Sequence, residues 1–269
     1  MSRTYVVTGS ASGVGASTAA LLRDRGDRVV GVDLRDAEVE ADLSTPDGRA
    51  RAVDRATTLT DGHVDGVVAC AGISAPVPKT VAVNFFGVTR LLAALLPALE
   101  RSDAPRVAVV SSMATLQPVS DELVAACLAD DEDTALRVAA TLADQGPAVG
   151  YLSYPSSKRA LSRWVRRECV TPAWAGRGIP LNAVAPGTVL TPMTSELLAT
   201  PESAAMVDAA VPMPLHGHQS PESVASLLLW LTDPANTHVT GQTIYDDGGA
   251  DAVLRGDDVW TGTTPTPAG

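Results

Sequence analysis

The sequence of 269 residues predicts an α/β fold in one domain, a doubly wound parallel sheet with helices on both faces. Three observations carry this. Short apolar runs alternate with segments of helical period, in βαβα order. The runs are apolar throughout rather than at every second position, as strands buried on both faces must be. No internal repeat or linker divides residues 1–259; only 260–269, ending "TGTTPTPAG", reads as a flexible tail.

In chain order, "TYVVTG" is a β-branched strand closed by a glycine, and a helix with Ala19, Leu21 and Leu22 among its apolar positions follows. "RVVGVD" is the second strand, "DGVVACAG" the third, "RVAVVSS" the fourth, "PLNAVAPG" the fifth and "QTIYDDGG" the last. The longest helical pattern between them is "VNFFGVTRLLAALLPALE". The apolar fraction of 45% fills the space between layers, and with aromatics at 4% the core is built from Ala, Val and Leu.

Charge and cysteine usage narrow the function. With 20 basic against 31 acidic residues the net charge is -11, a surface that repels nucleic-acid backbones and anionic membranes. Cys70, Cys127 and Cys169 lack CxxC or CxxH spacing, which argues against a zinc site or a disulfide framework and suits a reducing compartment. The N-terminus has no signal-peptide pattern. No apolar run approaches the roughly 18–20 residues of a membrane span. A cytoplasmic protein is expected, with no nucleic-acid or membrane partner and no metal.

The turn "TGSASGVG" places Gly9, Gly13 and Gly15 between the first strand and first helix. Glycines there let backbone approach a pyrophosphate whose charge the helix N-terminus favours. Asp33 ends the second strand about 20 residues on, the place of the carboxylate that accepts from ribose hydroxyls in a Rossmann-type unit. Ser12, Val14 and Leu34 flank these positions and complete the predicted dinucleotide contacts. Asp33 would repel a 2′-phosphate, so NAD is expected over NADP. Arg35 is read as a surface charge, because Ser12, the residue before Gly13, supplies no second cation.

In "YLSYPSSK" Tyr154 and Lys158 stand four residues apart and share a helix face, whereas Tyr151 has Pro155 at that spacing. Pro155 fits a first helical turn. Leu161, Trp164, Val165 and Cys169 continue the helix as an apolar stripe, with Arg163, Arg166 and Arg167 outside. Tyr154 is therefore the candidate acid/base. A free tyrosine has a pKa near 10, so working near neutrality needs about 3 units, or roughly 4 kcal/mol, in favour of the phenolate. Lys158 and a positive nicotinamide ring both act in that direction.

The GxxxGxG spacing, with Asn84, the serines of "VVSSM" and the Tyr154–Lys158 pair, resembles the short-chain dehydrogenase/reductase family over nearly the whole chain. The resemblance implies that Tyr154 exchanges a proton with the substrate oxygen and that Lys158 also binds the nicotinamide ribose. It makes Ser112 the catalytic serine, with Ser111 the alternative on the other sheet face. It gives Asn84 a place in a water-mediated proton path to the lysine. It further implies that Pro186, Gly187 and Val189 meet nicotinamide by backbone and Thr191 by hydroxyl, and that Asp42 and Leu43 flank adenine. Cys70, Ala71 and Gly72 stand where many members read Asn-Ala-Gly, and Cys70 is read as a buried small hydrophobe.

Within that family the long stretch between Ser112 and Tyr154, with "YDDGGADAVLR", looks like the hydroxysteroid dehydrogenase/carbonyl reductase branch; coniferyl-alcohol dehydrogenases share much of the pattern. Residues 113–150 are then a helical insertion that leaves a homodimer. Its acidic run Asp130–Asp133 lacks calcium-loop spacing and is read as a solvated helix junction. Segment 191–219 is expected to be a substrate lid, and its Met193, Leu197, Leu198, Met206, Val207, Met213 and Leu215 suit a hydrophobic alcohol or ketone. His216 and His218 are too few for a metal site. The expected activity is NAD-dependent interconversion of a hydrophobic secondary alcohol and ketone, of 3α-hydroxysteroid or carbonyl type. The alternatives are an aromatic alcohol dehydrogenase and a non-catalytic NAD-binding protein.

Overall fold

Continuous β-branched runs pair into a parallel sheet because both of their faces must be covered. The computed structural model describes residues 2–260; the rest of the predicted tail, 261–269, lies outside the described residues. The strands are β1 (Thr4–Thr8), β2 (Arg28–Asp33), β3 (Val39–Glu40), β4 (Gly66–Ala69), β5 (Arg106–Val110), β6 (Leu181–Pro186) and β7 (Thr243–Asp246). They lie in the order β3-β2-β1-β4-β5-β6-β7, every neighbouring pair parallel.

The order reverses direction between β1 and β4, so their C-terminal ends open a crevice at the topological switch point. The sheet has one strand more than the sequence indicates. β3 is two residues at the edge, and its pairing of Val39 with Val32 and Glu40 with Asp33 comes from tertiary position rather than from an apolar run.

The helices are α1 (Gly13–Asp24), α2 (Pro46–Leu59), α3 (Pro78–Val81), α4 (Gly87–Leu99), α5 (Asp121–Leu128), α6 (Glu132–Asp144), α7 (Pro147–Gly150), α8 (Ser153–Glu168), α9 (Pro192–Ser195), α10 (Pro201–Ala210), α11 (Pro221–Leu231) and α12 (Ala250–Arg255). Apolar side chains of α2, α4, α5, α6 and α8 share one core with one face of the sheet; those of α1 and α11 share a second core with the other. Leu161, Trp164, Val165 and Cys169 are buried and Arg163, Arg166 and Arg167 exposed, as the stripe predicts.

A π-helical turn, Ala82–Phe86, joins α3 to α4. The resulting helix, Pro78–Leu99, is 22 residues long and holds an 18-residue window of mean hydropathy 1.7, enough by length and composition to cross a membrane, contrary to the sequence reading. Its apolarity serves the core: 72% of the window is buried.

The acidic run at 130–133 is more than a solvated junction. Asp131 caps α6 by accepting from Thr134 N at 3.0 Å. Glu132 accepts two bonds from the Arg49 guanidinium, at 3.0 and 2.8 Å, and one from Arg90 at 2.6 Å. The side chains of Arg49 and Glu132 are only 6% and 12% exposed, so this pair ties α6 to α2 in a poorly solvated place. Glu132→Gln leaves the Arg49 charge buried without its partner. Denaturant unfolding is expected to show a loss of about 3–5 kcal/mol; a loss below about 1 kcal/mol would mark it as an ordinary surface pair.

Candidate active site

The glycine turn forms because the backbone must fold back on itself where β1 feeds α1. Gly9 and Gly13 have φ of +68° and +52°, the left-handed region that glycine tolerates. A Cβ at Gly9 would stand 2.8 Å from Ala71 N, and one at Gly15 only 2.1 Å from Gly9 O. Ser12 caps α1 without a side-chain bond, so the first-turn N–H groups keep their donors for a ligand.

This turn borders a cleft of about 350 Å³ along the crevice between β1 and β4. Gly9, Ser12, Gly13, Val14, Gly15, Asp33, Leu34, Asp42, Leu43, Cys70, Ala71, Gly72, Ser112, Tyr154, Lys158, Pro186, Gly187, Val189 and Thr191 all line it. A cradle that any side chain would fill, a helix N-terminus and a carboxylate at the far end suit a dinucleotide.

Asp33 accepts from Ala11 N at 3.0 Å and Leu34 N at 2.6 Å, which fixes its carboxylate at the tip of β2. The Arg35 side chain is 86% exposed beside Asp36, as a surface charge should be. Asp42 takes two bonds from Ser44, at 3.0 and 2.6 Å, and one from Lys79 Nζ at 2.8 Å. Burial alone would raise the Asp42 pKa, but the Lys79 and Ser44 bonds outweigh it and hold the carboxyl below its usual range. Lys79 lines the cleft, and nothing in its sequence surroundings marks it.

At the other end, α8 brings Tyr154 and Lys158 beside the C-terminal end of β5. The Lys158 Nζ lies 5.9 Å from the Tyr154 ring centroid and donates to Val110 O at 2.8 Å. Burial pulls its pKa down to about 8, with only a partial offset from Cys70. Tyr154 is half-buried; burial raises its pKa, and a hydrogen bond with the Ser112 hydroxyl draws it back in part. The expected lowering by Lys158 is therefore absent in the protein alone, because desolvation disfavours the charged form of both groups.

Ser112 accepts from Ala114 N at 3.1 Å, which fixes its hydroxyl beside Tyr154. Ser111 is occupied elsewhere: its hydroxyl bonds to Lys158 O at 3.2 Å and Ser162 Oγ at 2.8 Å, both on α8. Asn84 sits in the π-helical turn, fully buried, outside the cleft lining. Its Oδ1 accepts from Ile73 N at 2.9 Å, and its Nδ2 donates to Ile73 O at 2.9 Å and to Ser157 Oγ at 3.2 Å. A Cβ on Gly72 would lie 3.2 Å from Asn84 Oδ1 and 3.4 Å from Lys158 Nζ, so this glycine lets the two side chains converge.

Other predicted contacts carry local duties. Gly187 N donates to Asp246 O at 3.0 Å, leaving its carbonyl for a ligand. Thr191 caps α9, sharing bonds with Thr194. The Cys70 thiol is pushed up to about 12 by burial, against a bond to Thr18, and behaves as a small packing group. In segment 191–219, α10 buries none of its residues, and Met193, Leu197, Met206 and Leu215 are 44%, 47%, 68% and 62% exposed. These four side chains are exposed rather than packed into the core. His218 pairs with Asp208 at 2.7 Å, and no metal-binding cluster occurs among the described residues.

Known proteins share this sequence pattern and fold. Residues 3–126 match the family model for short chain dehydrogenase, and 124–251 that for enoyl-(acyl carrier protein) reductase. The chain is 38% identical to a 3-alpha-hydroxysteroid dehydrogenase/carbonyl reductase of Comamonas testosteroni, over 93% of this chain and 97% of that one. It is 30% identical to a coniferyl-alcohol dehydrogenase of a Pseudomonas strain, over 91% and 94%. The crystal structure of a 3-alpha-hydroxysteroid dehydrogenase from Pseudomonas sp. B-0831, complexed with NADH, superposes with a TM-score of 0.87 at 39% identity. That match covers 95% of this chain and 99% of that one.

Proposed function

We propose, for a chain that belongs to the short-chain dehydrogenase family and so to the oxidoreductases acting on CH–OH groups, that it uses NAD to interconvert a hydrophobic secondary alcohol and its ketone, of 3α-hydroxysteroid or carbonyl type. The observation that carries this is the meeting of Ser112, Tyr154 and Lys158 at one end of a cleft whose other end holds the Asp33 carboxylate. The Comamonas relative and the NADH-bound Pseudomonas structure support the same reading.

The glycine turn would hold NAD, which would supply or accept the hydride at the substrate carbon. The chain does the rest. Asp33 receives the adenosine ribose and disfavours a 2′-phosphate, while Asp42 and Leu43 border adenine. Pro186, Gly187, Val189 and Thr191 border nicotinamide. Ser112 holds the substrate oxygen against the Tyr154 phenol, which gives or takes the proton. Lys158 binds the nicotinamide ribose, and Asn84, anchored on Ile73, keeps a water path to the lysine. The exposed apolar residues of 191–219 close over a hydrophobic substrate, consistent with a lid.

Residues 1–259 form one catalytic domain on this reading, with 113–150 as an insertion. α5 and α6 pack onto the face that also holds α4 and α8, and share its core. A free α4/α8 face is thereby lost for association, and the protein is a homodimer; light scattering that reads a tetramer at micromolar concentration would contradict this.

The test follows reduced-nicotinamide absorbance with NAD⁺ or NADP⁺, and with androsterone or coniferyl alcohol. Androsterone with NAD⁺ is the expected productive pair, and Tyr154→Phe should lower kcat/KM by about 10²- to 10⁴-fold. Turnover of coniferyl alcohol alone would replace the substrate class. Preference for NADP⁺ would overturn the role of Asp33, and an unchanged Tyr154→Phe rate would overturn the mechanism.

A further inference from the structure

The C-terminal run "YDDGGADAVLR", Tyr245 to Arg255, lies beyond the cleft, and none of its residues lines it. It reaches the catalytic end indirectly. Ser112 caps a 3₁₀ turn, Met113–Leu116, and accepts from Ala114 N at 3.1 Å. Thr115 closes that turn by donating its N–H to Ser112 O at 3.1 Å. It is 5% exposed and is gripped from two sides. Its carbonyl accepts from Arg159 Nε, on α8 next to Lys158, at 2.6 Å. Its hydroxyl shares a hydrogen bond with the Tyr245 phenol of β7 at 2.9 Å. The Arg255 guanidinium stands 5.1 Å from the centroid of the Tyr245 ring, and Arg255 is itself tied to Asp251, Nη2 to Oδ2 at 2.7 Å. The next residue of β7 makes further ties: Asp246 O accepts from Gly187 N at 3.0 Å and from Gln219 Nε2 at 2.8 Å.

A turn whose Thr115 carbonyl is held by α8 and whose Thr115 hydroxyl is held by β7 has one register. We infer that Tyr245 is a positioning residue for Ser112: its phenol fixes Thr115, Thr115 fixes the turn, and the turn aims the serine hydroxyl at Tyr154. This rests on the proposed role of Ser112 and goes beyond it, because the end of β7 then sets both that serine and Gly187 of the nicotinamide segment. Tyr245 controls alignment only, and a misplacement of about 1 Å at a reacting centre can cost about 10²-fold in rate. The Ser112 hydroxyl bond also draws the Tyr154 pKa down in part, so a serine out of register leaves the phenol further raised.

Two readouts test this. One is Tyr154 phenolate absorbance against pH in the cofactor-free protein, taken as the difference from the matching Tyr154→Phe protein. The other is kcat for androsterone with NAD⁺. Tyr245→Phe keeps the ring beside Arg255 and removes only the hydroxyl. It is expected to raise the Tyr154 midpoint and to lower kcat about tenfold, with KM for NAD⁺ within about twofold of wild type. Thr115→Val breaks the same bond from its other end and should give the same result. In a Ser112→Ala background Tyr245→Phe should move neither readout further, because it acts through that hydroxyl. A further fall there would mark Tyr245 as a general support of the fold and overturn the inference. So would a midpoint unmoved by Tyr245→Phe and Thr115→Val when Ser112→Ala raises it. If Ser112→Ala itself changes neither readout, the proposed role of Ser112 falls and the inference with it. The midpoint needs no substrate, so a wild type inactive on androsterone replaces the substrate class alone.

Discussion

The burial of an amine without a carboxylate partner is the constraint around which the catalytic end of the cleft is built. Lys158 is 4% exposed, and the acceptor its Nζ finds among the described residues is the Val110 carbonyl at the end of β5. Burial disfavours the ammonium and pulls its pKa down to about 8. Neighbours that could crowd it have been reduced. Gly72 has no side chain to separate it from Asn84, and the buried face of α8 is lined by Ser153, Ser156, Ser157 and Ser162.

Those serines also tie the site to its surroundings. Ser156 accepts from Ser120 N at the start of α5, Ser157 accepts from Asn84 in the π-helical turn, and Ser162 bonds to Ser111 after β5. Small side chains let α8 lie close to the sheet, and their hydroxyls satisfy polar groups that the close approach buries. Substrate chemistry at Tyr154 thus depends on a helix position held by three serine hydroxyls and on the room that Gly72 leaves. Tyr154 itself is held by Ser112 but not activated by it. Burial leaves its pKa raised, so the protein alone offers an acid, and a base only once a further positive charge lies beside the ring.

Features set by local chain chemistry were legible in the sequence. The glycine turn, Asp33 at the end of β2, and the four-residue spacing of Tyr154 and Lys158 are short-range patterns, and all of these residues line one cleft. Features set by tertiary position were not. Two-residue β3 exists because Glu40 falls beside Asp33, and the π-helical turn at Asn84 carries no residue that announces it. Lys79 and Glu132 look like surface charges until Asp42 and Arg49 are placed next to them. The apolar length of Pro78–Leu99 could be assigned to the core only once 72% of its window was seen to be covered.

If the acid/base unit is completed only by bound cofactor, the ionisation of Tyr154 must respond to it. The direct measurement is phenolate absorbance against pH, as the difference between wild type and Tyr154→Phe, without and with saturating NAD⁺. Without NAD⁺ the midpoint should lie above the ordinary tyrosine value of about 10; with NAD⁺ it should fall, toward neutrality. A midpoint that stays above about 10 in both cases would contradict the assignment of Tyr154 as the proton-transfer group.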